Sequence, residues 1–333
     1  MEEQGFHLNL ASIISIKRQH ISVVAVVFLF VLFTFIQSSY ARENITPVQV
    51  NYSVNSNKTG DKSKPDTTSK INKNFDSDSR PKHNPSTDIS KLKIKSFRPA
   101  VSIIIDDLGD RLKDGMRAVS LPAPYTYSFL PNTPFAKRLA KEANNMNKEV
   151  MLHLPMQATN GKKLGPNGLT GDMTREVFDK TLLDAYQSIP HVRGINNHMG
   201  SLLSADKHFM NWVMSFVAHQ DNKLYFIDSR TTADSVIVQA AKEKNIKIMS
   251  RDTFIDYNSS TESITKQIHY LIKQAKKNGT AIGIAHPYPT TLKVLEVAWP
   301  IFYEAGVDLI PVSELITLNN KRELSKWQLS SSP

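Results

Sequence analysis

Five side chains able to bind a metal or move a proton stand in or just after apolar runs of this sequence. They are Asp106 and Asp107 after VSIII, His153 inside VMLHLPM, His198 after GINN, and His286 after AIGIA. Side chains at the carboxyl ends of parallel strands converge on one face of an α/β barrel or sheet, so residues far apart in sequence become neighbours in space. Two carboxylates and three imidazoles gathered there make a hard-to-borderline metal site with acid and base groups to spare, which is the equipment of a hydrolase. The chain has no cysteine, so thiolate ligands and a cysteine nucleophile are excluded.

Each of these residues also has a plainer use. Consecutive side chains of a strand point to opposite faces, so Asp106 and Asp107 can share a site only where the strand gives way to a loop. The LGD that follows them supplies one. A tandem pair can equally cap a helix or sit in solvent. His153, flanked by Leu152 and Leu154, could be a hydrogen-bonded core histidine. His198 and His286 sit where strands hand over to loops, with access to solvent and metal. Asp228 and Arg230, in FIDSRT, end another apolar run. They could bind substrate or orient neighbours, fixing a histidine tautomer or holding an aspartate ionised, or form an ordinary ion pair.

The elements that must position these groups are legible as apolar runs of strand length alternating with helical patterns, the order that builds parallel strands joined by crossover helices. Strands are expected at residues 101–105, 126–130, 150–155, 194–197, 224–227, 246–249, 281–285 and 309–312. Ser204 is expected to cap a helix carrying Phe209, Trp212, Val213, Phe216 and Val217 at a 3.6-residue period. Thr261 opens another with Ile264, Ile268, Leu271 and Ile272, closed by Asn278 and Gly279. A third spans residues 290–305, kinked at Pro300. Eight strands, several short, suit a barrel better than an open sheet, and no glycine-rich phosphate loop follows the first. The loop at residues 159–172 follows a strand bearing a candidate ligand and is expected to form a lip over the site. Residues 319–333 read as a polar, frayed tail.

The N-terminal part reads differently. Residues 21–37 begin with a charge-free apolar run preceded by Lys17 and Arg18, so residues 1–20 would stay in the cytoplasm and the rest be exported. Small residues around Ala41 leave a cleaved signal peptide as the alternative to a single-pass inner-membrane anchor. Residues 38–97 are rich in Asn, Ser, Thr, Lys and Pro and cannot offset the entropy of ordering; they read as a disordered linker with the domain in the periplasm. Between Arg42 and Arg98 twelve Lys and Arg face six Asp and Glu, which accounts for six of the formal ten positive charges. The basic balance therefore gives no indication of a nucleic-acid partner.

Taken in order, IIIDDLG, MLHLPM, NNHMGS, FIDSRT and IAHPYP resemble the divergent polysaccharide deacetylases, relatives of the NodB-type carbohydrate esterases, over residues 98–318. The resemblance implies an α/β fold, a distorted β/α barrel of about seven strands with a metal-dependent hydrolytic site at the strand ends. It implies Asp106 as catalytic base, Asp107 as a metal ligand and His286 as general acid. In NodB-type enzymes the two ligand histidines share one HxxxH segment. Here Gln157 stands four residues after His153, so His198 is the candidate for the second imidazole. The implied cofactor is a divalent metal, zinc first. The implied reaction removes N-acetyl or O-acetyl groups from an envelope polysaccharide such as peptidoglycan, a hydrolysis of C–N bonds other than peptide bonds. The alternative is an inactive envelope glycan-binding protein on the same fold.

Overall fold

A computed structural model describes residues 97–220 and 224–331. The expected cytoplasmic segment, the apolar run and all of the expected linker but Phe97, residues 1–96 together, lie outside them. Among the described residues no helix is long and apolar enough to cross a membrane.

The strands are β1 (Ala100–Leu108), β2 (Thr126–Phe129), β3 (Glu149–Met156), β4 (Val192–Met199), β5 (Tyr225–Asp228), β6 (Lys247–Ser250), β7 (Thr253–Phe254), β8 (Thr280–Ala285) and β9 (Asp308–Leu309). Helices α1 (Leu112–Val119), α2 (Ala136–Asn145), α3 (Arg175–Ser188), α4 (Lys207–Ala218) and α5 (Ile237–Glu243) fall between the first six strands. Then come α6 (Thr261–Asn278), α7 (Pro289–Val297), α8 (Trp299–Glu304) and α9 (Val312–Ser330). The strand pairings are parallel, in the order β6-β5-β4-β3-β2-β1-β8-β7, with β9 beside the start of β1. β6 pairs with β5, and after only Arg251 and Asp252 the chain pairs again, as β7, with β8. One extended stretch thus links the two edges, and the sheet curls into a partial barrel.

Burial on both faces explains why β1 and β3 are nearly unbroken apolar runs. Alternate residues of β1 serve two cores: Val101, Ile103 and Ile105 pack against the outer helices, while Ala100 and Ile104 face inward. The inner core also holds Met151, Ile227, Ile282 and Ile284, and Val312, Leu315 and Ile316 of α9 close its lower end. This plug forces the polar side chains to gather at the opposite rim, where the strands end.

Several boundaries differ from expectation for identifiable reasons. Ser204 is buried in a short 3-10 turn, and the cap of α4 is Asp206, whose carboxylate accepts from the His208 amide at 2.7 Å. Helix α6, by contrast, opens at Thr261 and closes at Asn278 and Gly279 as expected, with Ser260 supplying its cap. The kinked helix is two helices, because Pro300 in the first turn of α8 has no amide to continue the ladder of α7. The strand expected at 309–312 shrinks to Asp308–Leu309, since Val312 starts α9. Residues 319–330 are helical in α9 rather than frayed.

Gly194 shows how tightly the inner face is packed. A Cβ there would lie 2.1 Å from the Tyr225 ring, which is buried and anchored by its hydroxyl donating to Glu149 at 2.8 Å. Gly194→Ala should therefore cost about 1–3 kcal/mol by overpacking, read as a lower urea midpoint at unchanged slope. A midpoint equal to wild type would show that the ring can move aside.

Candidate functional site

Strand parity aims Asp106 into the barrel along with Ala100 and Ile104, and by itself would turn Asp107 outward. The structure solves this with backbone conformation. Asp107 has φ 56°, in the left-handed region, so both carboxylates reach the same rim. Met199, next to His198, and Arg230, next to Ser229, also have positive φ at 52° and 48°. Left-handed backbone at non-glycine residues is costly and persists where surroundings over-determine it, commonly at functional sites. Gly109 then lets the chain leave: it has φ 134°, and a Cβ there would collide with the Thr133 hydroxyl at 2.0 Å.

Asp107, His153 and His198 converge. The Asp107 Oδ1 atom is 3.1 Å from His153 Nε2 and 2.9 Å from His198 Nδ1, and the two nitrogens are 3.1 Å apart. Burial pushes the Asp107 carboxyl up, but the two imidazoles outweigh it and hold it well below the usual carboxylate range. Its Oδ1 is buried and makes no well-angled hydrogen bond to either ring. Three donor atoms so close, without hydrogen-bond geometry at the oxygen, fit a shared cation. Ligand atoms about 2.0–2.2 Å from one ion and about 90–110° apart around it are separated by roughly 2.8–3.6 Å, and the 2.9–3.1 Å sides of this triangle fall at the short end of that range.

Asn196 organises the layer beneath. Its Nδ2 donates to both oxygens of Asp106, at 2.9 and 3.1 Å, and its Oδ1 accepts from the Ser128 hydroxyl at 2.6 Å. A carboxylate only accepts, so the amide orientation is fixed, and Oδ1 must face His153 Nδ1, 2.9 Å away. In its neutral form His153 therefore carries its proton on Nδ1 and presents the Nε2 lone pair to Asp107 and His198. Burial lowers the His153 pKa, and Asp106 and Asp107 raise it by more. Asp106 is fully enclosed, and burial pushes its carboxyl above the usual range despite His153, His286 and the Asn196 bond.

His286 joins the rim from β8, its Nε2 4.0 Å from Asp107 Oδ2. Asp256, unremarked in the sequence, holds it: Oδ1 is 2.9 Å from Nδ1, and Oδ2 accepts from the His286 amide at 2.7 Å and from Thr291 at 3.0 Å. Burial alone would lower the imidazole, but the bond to Asp256, with Asp106 and Asp107 nearby, raises it to about 9.

Asp228 and Arg230 do neither of the orienting tasks expected of them. The buried Asp228 accepts from the Arg230 amide at 2.8 Å and from Ser235 at 2.9 Å, shaping the turn that follows β5. Its short side chain is satisfied locally, so Asn196 and Asp256 fix the histidine tautomers instead. No ion pair joins Asp228 to Arg230 among the described residues, and the Arg230 side chain is exposed at the rim. Arg251, also missed, lies 3.8 Å over the Phe254 ring and donates to the carbonyls of Ser229 and Arg230 at 2.7 and 2.9 Å. Gln157, where NodB-type enzymes carry a histidine, clips the glycine-rich loop to the end of β3, accepting from the Gly171 amide at 2.7 Å while Leu169 pairs with Pro155 and Gln157.

The missed residues left faint signals. Asp256 follows TFI, an apolar run too short to read as a strand, and Asn196 is a polar residue inside an otherwise buried strand end.

A family model described as divergent polysaccharide deacetylase matches residues 103–316. The uncharacterized protein YibQ of Escherichia coli is 33% identical over 196 residues, covering 59% of this chain and 61% of that protein. An uncharacterized protein of Haemophilus influenzae is 32% identical over 196 residues, 59% of this chain and 69% of that one. The match thus spans less than two thirds of the E. coli relative. Among solved structures, an uncharacterized protein from Agrobacterium tumefaciens superposes with a TM-score of 0.63 at 22% identity, covering 66% of this chain and 90% of that chain, a likeness of fold. The matched span encloses the whole cluster from Asp106 to His286, and the chain belongs to the divergent polysaccharide deacetylase family.

Proposed function

We propose that this protein is an exported, metal-dependent hydrolase that removes acetyl groups, N-linked first and O-linked second, from an envelope polysaccharide. The observation that carries the reading is the Asp107, His153 and His198 triangle with Asp106 and His286 on the same rim. Asp107, His153 and His198 would hold a divalent ion, zinc first, which when bound supplies Lewis acidity to an acetyl carbonyl and acidifies a water.

The chain's own groups handle the protons. Asp106, its pKa raised by burial, accepts one from the attacking water as the oxygen bonds to the carbonyl carbon. His286, charged near neutral pH and oriented by Asp256, returns one from Nε2 to the sugar nitrogen as the C–N bond breaks. Acetate and a free amine result. Export rests on the apolar run at residues 21–37 with Lys17 and Arg18 before it. An inner-membrane anchor with a periplasmic domain is the reading we adopt, with signal cleavage as the alternative. The test is acetate release from acetylated glycans by the purified chain, with and without added zinc. Metal-dependent release supports the hydrolase; glycan binding with no release at any metal loading indicates a binding protein on this fold.

A further inference from the structure

We propose that the cleft beside Asp107 is a subsite for a neighbouring sugar ring of the glycan, stacked on Tyr288. This rests on the polysaccharide reading above and adds where the polymer lies. The cleft, about 200 Å³, is lined by Asp107, Gly109, Asp110, Arg111, Asp114 and Tyr288 among others. It is smaller than the roughly 300 Å³ at which drug-sized pockets begin, so it suits one ring and not a chain. Because Asp107 also belongs to the ion-binding triangle, a ring seated here borders the acetyl group being removed.

Tyr288 has the properties of a platform. It is 48% exposed, yet its backbone is fixed at the start of α7: its amide donates to the His286 carbonyl at 2.8 Å and its carbonyl accepts from Leu292 at 2.9 Å. Its ring lies 5.5 Å from that of His286, inclined by 30°, so the platform sits against the group assigned to protonate the product. An aromatic face is electron-rich, and the C–H groups on one side of a sugar ring are weakly positive and apolar. Stacking therefore buries them while the hydroxyls keep their partners. Those partners are at hand, since Asp110 and Asp114 accept and Arg111 donates. Arg111 is 80% exposed in its side chain and only loosely paired with Asp114 at 3.6 Å, free to turn toward a ligand.

The test is calorimetric binding of an N-acetylated amino-sugar tetrasaccharide to the full chain with one equivalent of zinc added, for wild type, Tyr288→Ala and Tyr288→Phe. The alanine variant should weaken binding roughly five- to tenfold, and phenylalanine should recover most of the loss, because the ring and not the hydroxyl makes the contact. Wild-type affinity in Tyr288→Ala, equal losses in both variants, or no binding by wild type would overturn the subsite. Acetate release followed in parallel separates the two readings: the expected binding pattern without release would refute the hydrolase and leave the subsite standing.

Discussion

Asp106→Asn is expected to lose acetate release by a factor on the order of 10²–10⁴ while keeping its metal. The substitution removes the proposed proton acceptor and almost nothing else. Asn196 Nδ2 lies 2.9 and 3.1 Å from the two carboxylate oxygens, so an amide at position 106 can present its oxygen to the same donor. The proposed ion-binding triangle contains Asp107, His153 and His198 but not Asp106, so loading should survive. Acetate release and metal content measured on the same preparation check both halves. Equal turnover with the metal retained would remove Asp106 from the mechanism.

Asn196→Leu should produce the largest combined loss of stability and metal affinity. Leucine fills the same space but leaves the Ser128 hydroxyl, His153 Nδ1–H and the Asp106 carboxylate without their common partner. Each buried group left unpaired costs about 1–3 kcal/mol, so the urea midpoint should fall well below wild type. With Nδ1 released, His153 can take the other tautomer and withdraw its lone pair from the triangle, and loss of such an orienting partner typically costs 10–100-fold in metal affinity. Metal titration of the folded variant reads this directly. A destabilised variant with wild-type metal affinity would show that Asn196 supports the fold without setting the tautomer.

Much of this arrangement is legible in the chain because burial writes it there. The strands of the curled sheet are covered on both faces, so they stand out as apolar runs, and the polar residues that interrupt or end them mark the rim. That is how Asp106, Asp107, His153, His198 and His286 could be chosen from the residues alone, and they do meet. Groups whose context is local structure were harder to see. Asp256 depends on the two-residue strand β7, which has no periodicity to detect. Asn196 acts through a hydrogen-bond network spanning β1, β2, β3 and β4, which no single segment encodes. The turn-shaping bonds of Asp228 are not legible in the chain, because a carboxylate at a strand end serves a backbone turn as readily as a site. The left-handed backbone at Asp107 was inferable only as a need for the strand to stop.

The proposed chemistry depends most on an ion held jointly by Asp107, His153 and His198. Elemental analysis of the purified full chain, alongside His153→Ala and His198→Ala, tests this with the fewest assumptions. One equivalent of divalent metal in wild type and a marked loss in each variant, with both variants still folded by circular dichroism, is the predicted result. A wild-type chain that takes up no divalent metal, or variants that keep a full equivalent, would contradict it.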